Sequence, residues 1–203
     1  MKPTLVGLHL GIPPKPWAEL GFHITDVTTT IGTVSLTFGD DPNAGLDAWS
    51  IAGIDDSITS LDGVPTTAVS PPPPVGPVSH PNGSTSIDHV VLRTPDLDRT
   101  VDALGAAGLE LRRIRDAGTV QQAFYRVGEA ILEVVAPHRP TGDEPARLWG
   151  LACTVADLDA TAACLGDRLL PVKDAVQPGR RIATVHDDAG LGIPLAFMTP
   201  DRR

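Results

Sequence analysis

The sequence predicts an α+β protein made of tandem βαβββ modules, with a degenerate extra βαβββ-like module ahead of them. Three observations carry this prediction. Residues 86–200 repeat themselves, and each repeat reads as a strand, an amphipathic helix and three further strands. A proline-rich stretch over 69–84 separates the repeats from what precedes them.

Aligning His89 to Gly105 on Gly150 to Gly166 superposes Asp96-Leu97-Asp98 on Asp157-Leu158-Asp159, Thr100 on Thr161 and Leu104-Gly105 on Leu165-Gly166. In the first copy Thr94 is placed to cap the helix, Pro95 suits its first turn, and Asp96 and Asp98 complement its positive end. Leu97, Val101 and Leu104 recur at helical spacing and bury one face. Strands then follow over 109–114, 121–127 and 130–135, with Gly128-Glu129 as the last turn. The second copy places its strands at 169–172, 181–186 and 194–198. The two modules span 85–138 and 147–200 of a domain covering 85–203.

Residues 1–68 read as a weaker instance of the same unit. Its strands fall at 4–10, 22–27, 33–38 and 46–52, and Pro13-Pro14-Lys15-Pro16 leaves room for only a stub of helix at 17–20. Within the 69–84 linker, His80 reads as a solvated loop residue. Cys153 and Cys164 fall in apolar surroundings and read as buried free thiols, with no CxxC partner for either.

Sixteen Lys and Arg against 25 Asp and Glu give a net charge of −9, a field that repels phosphate backbones, so nucleic acid is a poor partner. No apolar run approaches the roughly 20 residues that span a bilayer, so no membrane partner is expected and the cytoplasm is the expected location. GxGxxG, P-loop, GxSxG and HExxH motifs are all missing, which removes the dinucleotide, nucleotide, serine-hydrolase and zincin readings.

Alternation places His89 on one strand face with Ile87 and Val91, and Glu133 on another with Ile131 and Val135. An imidazole and a carboxylate among apolar neighbours are costly unless paired, hydrogen-bonded or bound to metal, so the two residues mark a site.

The strings Ser86-Ile87-Asp88-His89-Val90-Val91-Leu92, Pro95-Asp96-Leu97-Asp98 and Gly128-Glu129-Ala130-Ile131-Leu132-Glu133-Val134-Val135 resemble the vicinal-oxygen-chelate superfamily, which includes glyoxalase-like, bleomycin-resistance-like and dioxygenase-like proteins. The resemblance implies cup-shaped sheets and a divalent metal (Zn, Ni, Mn or Fe) held by residues on the first and last strands of each module. His89 and Glu133 match the first half of that ligand set, with Glu133 also the catalytic candidate that binds metal or moves a proton. In the second module Gly150 and Ala196 stand at the corresponding places and offer no ligand, so completion falls to His9, His23 or a second copy of the chain.

Gln122 and Arg126 share a face of a strand that lines the cup in this fold, and Trp149 can wall the pocket beside Gly150. Lys173, Arg180 and Arg181 surround a tight turn at the rim, where Arg181 can meet an anionic substrate, although a solvated hairpin is the simpler explanation of the cluster. Tyr125 reads as a packing residue. The implied functions are a metal-assisted lyase, isomerase or epimerase, or a metal-free protein that sequesters a small molecule. An unpartnered N-terminal module also invites a homodimer.

Overall fold

The structure is a computed structural model describing residues 1–70, 76 and 78–201; most of the proline run, at 71–75 and 77, lies outside the described residues. The chain runs β1 (Thr4–Leu10), α1 (Lys15–Glu19), β2 (Thr28–Ile31), β3 (Val34–Phe38), β4 (Leu46–Ala52), β5 (Ser60–Leu61) and β6 (Val64–Val69). It continues through β7 (Ser84–Arg93), α2 (Leu97–Ala106), β8 (Leu111–Asp116), β9 (Gln121–Val127) and β10 (Ala130–Ala136). The last elements are β11 (Arg147–Val155), α3 (Leu158–Leu165), β12 (Lys173–Asp174), β13 (Arg181–Thr184) and β14 (Leu195–Met198).

Two mixed sheets result. One has six strands in the order β2-β3-β1-β4-β6-β5 and the other eight in the order β12-β13-β14-β11-β7-β10-β9-β8. In the larger sheet β7 pairs antiparallel with β11 at the centre, and each is flanked by the last strand of its own module in parallel, β10 beside β7 and β14 beside β11. This is the arrangement of paired βαβββ modules.

The repeated string has a structural meaning. Asp96 and Asp157 are the helix N-caps, accepting from the backbone N–H of Arg99 at 3.1 Å and of Asp159 and Ala160 at 2.9 and 3.1 Å. Leu97, Thr100 and Leu104 form the buried stripe of α2, and Leu158, Thr161 and Leu165 that of α3. Thr94 is therefore not the cap expected from sequence. Its hydroxyl accepts from the Asp96 N–H at 3.1 Å, one turn upstream.

The smaller sheet departs from a single degenerate module. β1 lies parallel to β3, β4 lies parallel to β6, and β1 and β4 are antiparallel at the centre, which is the plan of the larger sheet in reduced form. Residues 22–27 do not form the expected strand. Phe22 and Ile24 turn inward as anchors, and Asp26 adopts a positive φ of 55° at the turn before β2. β5 and β6 had no counterpart in the sequence reading, although Asp62-Gly63 between Leu61 and Val64 is a hairpin signal, with φ of 48° and 86° at the two turn residues. In the second module Pro171 removes a backbone donor where a strand was expected, so Leu169 makes one isolated bridge and β12 shrinks to two residues.

The sheets share one core. Trp17 packs against Phe22 and Phe38 with ring centroids 5.1 and 5.7 Å apart, and Phe22 stacks on Phe197 of β14 at 6.1 Å. His80 belongs to this seam and is buried rather than solvated. Its Nδ1 accepts from the His23 N–H at 3.1 Å and its Nε2 lies 3.0 Å from the Thr30 carbonyl, while burial holds its pKa below the ordinary imidazole value. Cys153 is buried, and burial pushes its thiol up to about 12; Cys164 is exposed, against expectation.

A polar latch ties the β5–β6 hairpin to α2. Asp62 accepts from Arg99 Nε at 2.6 Å and Nη2 at 3.3 Å and from the Thr100 hydroxyl, with only 7% of its side chain exposed. Asp62→Ala takes the acceptor from the partly exposed Arg99 guanidinium and from the buried Thr100 hydroxyl. It is expected to lower the urea-unfolding midpoint, with an unchanged midpoint showing that the latch is incidental.

Candidate functional site

His89 and Glu133 face the cup of the larger sheet, as alternation along β7 and β10 requires. His89 Nε2 lies 4.0 Å from Glu133 Oε2, and both side chains are largely buried. On its other side His89 Nδ1 lies 3.0 Å from Asp88 Oδ1. Asp88 is held in turn by the Thr154 hydroxyl at 3.2 Å and by Arg180, a buried guanidinium that also donates to the Thr199 carbonyl. Burial opposes ionisation of Asp88, yet the hydrogen bonds and charges of His89 and Arg180 outweigh it and bring the carboxyl down to about 2. An ionised Asp88 keeps the hydrogen of neutral His89 on Nδ1, which leaves the Nε2 lone pair toward the cup.

Gln122 donates to Glu133 Oε1 at 2.5 Å, while its own carbonyl oxygen is buried without a partner. Around these groups lies a cavity of about 440 Å³, walled by Phe124, Ile131, Ile182, Thr184 and Met198. The hairpin segment from Lys173 to Gln177 and the edge-strand residues Arg113 and Arg115 form its mouth.

Of the residues expected to meet substrate, Gln122 is in the cavity wall and three are not. Arg126 shares its face but is exposed opposite Ile131 at the strand end, beyond the lining. Trp149 is the extra residue where the β7–β11 register shifts between Leu148 and Gly150, so it leaves the cup and lies 38% exposed with the Arg93 guanidinium 5.2 Å from its ring centroid. Arg181 points to the opposite sheet face and makes a bidentate pair with Asp159 of α3 at 2.9 and 2.7 Å. Tyr125 is buried as a packing residue, and burial raises its phenol to about 12. Arg113 and Arg115 were missed. Their signal was an Arg-x-Arg spacing on a strand of an acidic chain, which puts both on one face.

The donor set of a shared metal site is half present. Val90 pairs with Leu132 as Leu151 pairs with Leu195, so Gly150 and Ala196 are the structural counterparts of His89 and Glu133. A Cβ at Gly150 would stand 2.8 Å from the Pro194 carbonyl oxygen, so backbone packing excludes any side chain there. His9 sits 2.5 Å from Asp47 in the smaller sheet and neither it nor His23 lines this cavity. Among the described residues no group of three or more His, Cys, Asp or Glu is placed to hold a metal ion. The residues present do not fit a complete metal centre.

No family model matches the chain, and no curated protein matches it in sequence. Solved structures do match. A xylose isomerase-like TIM barrel/4-hydroxyphenylpyruvate dioxygenase fusion protein aligns with 98% of the chain at a TM-score of 0.66 and 12% identity, and the chain spans about half, 49%, of that protein. Methylmalonyl-CoA epimerase from Mycobacterium tuberculosis matches 59% of the chain and 90% of its own length, with 22% identity and a TM-score of 0.47. The Streptomyces coelicolor epimerase, solved with 2-nitronate-propionyl-CoA, matches 59% of the chain and 96% of its own length at 24% identity and a TM-score of 0.48. The match over nearly the whole chain to the 4-hydroxyphenylpyruvate dioxygenase fusion protein shows a shared fold.

Two outcomes follow from this geometry. Asp88 has a native pKa below its unfolded value of about 3.8, so its contribution, about 2 kcal/mol, is complete above that value and is lost as pH falls through about 2. Asp88→Asn should lower stability at neutral pH and flatten the acid limb of a pH–stability curve between about pH 4 and 2, whereas an unchanged limb would separate Asp88 from acid unfolding. Gly150→Ala should cost about 2 kcal/mol in thermal or urea unfolding because the β14 backbone must shift, and a neutral effect would mean that the position is open to a ligand after all.

Proposed function

We propose that this chain binds a small molecule in the C-terminal cup without a metal ion, and that His89, Glu133 and Gln122 engage it at the cup floor. The observation that carries the reading is the half-empty donor set, with His89 and Glu133 on one side of the cup and a sterically enforced glycine on the other. A catalytic zinc site ordinarily takes three protein ligands. A binding cup needs only an enclosed wall and a few converging polar groups, and both are present here.

The floor has defined hydrogen-bonding roles. His89 Nε2 accepts from a ligand O–H or N–H while Asp88 holds the ring through Nδ1. Glu133 is fixed by Gln122 Nε2 and offers its second oxygen as an acceptor.

The metal-assisted lyase, isomerase or epimerase is the second reading. It is favoured by the placement of His89 and Glu133 on first and last strands.

Elemental analysis of tag-free protein separates the two. The expected result is far less than one equivalent of Zn, Ni, Mn or Fe, and a melting temperature that responds to added metal identically in wild type and in His89→Ala/Glu133→Ala. Near-stoichiometric metal that the double variant loses would reinstate the metal-assisted reading.

A further inference from the structure

The cavity mouth concentrates positive charge that the protein leaves uncompensated. Arg99, Arg112, Arg180 and Arg181 each have a carboxylate partner, Asp62, Glu110, Asp88 and Asp159 respectively. Arg113, Arg115 and Lys173 line the mouth, and among the described residues none of the three has such a partner. In a chain of net charge −9 this is a local inversion, with Asp174 the acidic residue at the same mouth and Glu133 at the floor.

We propose that the molecule held here is an amphipathic anion, whose carboxylate or phosphate is gripped by Arg115 and Lys173 with Arg113 beside them, and whose flat apolar body lies between Phe124, Ile131, Ile182 and Met198. The inference rests on reading the cup as a binding site. The pairing of β8 with β9 sets Arg113 opposite Phe124 and Arg115 opposite Gln122, so both guanidinium groups share the cup face. Arg113 is held in place, with its guanidinium carbon 4.7 Å from the Phe124 ring centroid. Guanidinium forks match the planar oxygens of carboxylate and phosphate.

Charge also dictates the orientation. Glu133 at the floor repels an anion, so the charged head stays at the mouth and an uncharged donor group reaches Glu133. Val176, 75% exposed at the mouth, is an apolar side chain that a seated apolar body would cover.

Isothermal titration with three probes of one shape tests this: 2-naphthoate, 2-naphthyl phosphate and the uncharged 2-naphthalenemethanol. Both anions should bind at least about tenfold more tightly than the alcohol and weaken as salt is raised. Arg115→Gln/Lys173→Gln should bring the anions to the level of the alcohol, with the alcohol and the melting temperature unchanged. The tighter anion then identifies the head group as carboxylate or phosphate. If the alcohol binds as well as the anions, in a manner that Phe124→Ala abolishes, the anion clamp is wrong while the cup reading stands. If none of the three binds, both fall.

Discussion

The antiparallel seam between β7 and β11 is the constraint on which the rest of the structure depends. It joins the first strands of two modules at the centre of an eight-stranded sheet, and each then receives the last strand of its own module on its outer side. A first strand in this position is hydrogen-bonded on both edges, so its register is fully specified and every residue on it is assigned to a face. His89 is thereby aimed into the cup, with Glu133 brought near it from β10. The same logic closes the other half. β14 approaches β11 so nearly at Gly150 that the Pro194 carbonyl occupies the space a side chain would need. The asymmetry of the site is thus built into the backbone as well as the sequence.

The smaller sheet repeats this plan with less material. β1 and β4 are its central pair, β3 and β6 their parallel neighbours, and only the first half carries a helix, the five-residue α1. What the missing helix would have buried is supplied by the C-terminal part of the chain and by the segment before β7. Trp17 donates to the Leu191 carbonyl at 3.3 Å, Asn82 donates to the Leu20 carbonyl at 2.9 Å, and Thr161 of α3 donates to the Asn82 carbonyl at 2.8 Å. A sheet this reduced has little core of its own, and sharing one with its neighbour is how so short a unit stays ordered.

The cup separates charge along its depth. At the floor, a chain of groups runs from Arg180 through Asp88 to His89 and on toward Glu133 and Gln122, and all of these side chains are held by neighbours inside the sheet. At the mouth, Arg113, Arg115 and Lys173 extend from an edge strand and a hairpin where solvent reaches them. Hydrogen-bonding groups beneath a cationic rim, with apolar walls between the two ends, give the cavity the polarity on which the proposed ligand orientation rests.

Much of the larger domain was legible in the sequence because its signals are local. The Asp-Leu-Asp string is a helix start followed by a buried stripe, alternation along β7 and β10 gave His89 and Glu133 apolar strand neighbours, and along β9 it left open whether Gln121 and Tyr125 or Gln122 and Arg126 face the cup. The destinations of Arg126, Trp149 and Arg181 were not legible. Strand length put Arg126 beyond the cavity, a one-residue bulge turned Trp149 out, and Asp159 on a helix distant in sequence captured Arg181. The β5–β6 hairpin of the smaller sheet escaped notice because β5 is only two residues long. The sequence by itself determined the modules, the helices and the residue types at the cup floor, because periodicity acts over a few residues. Only the tertiary structure decided which charges face the cavity and that a side chain at Gly150 would meet the Pro194 carbonyl, because both depend on strands brought together across long stretches of chain.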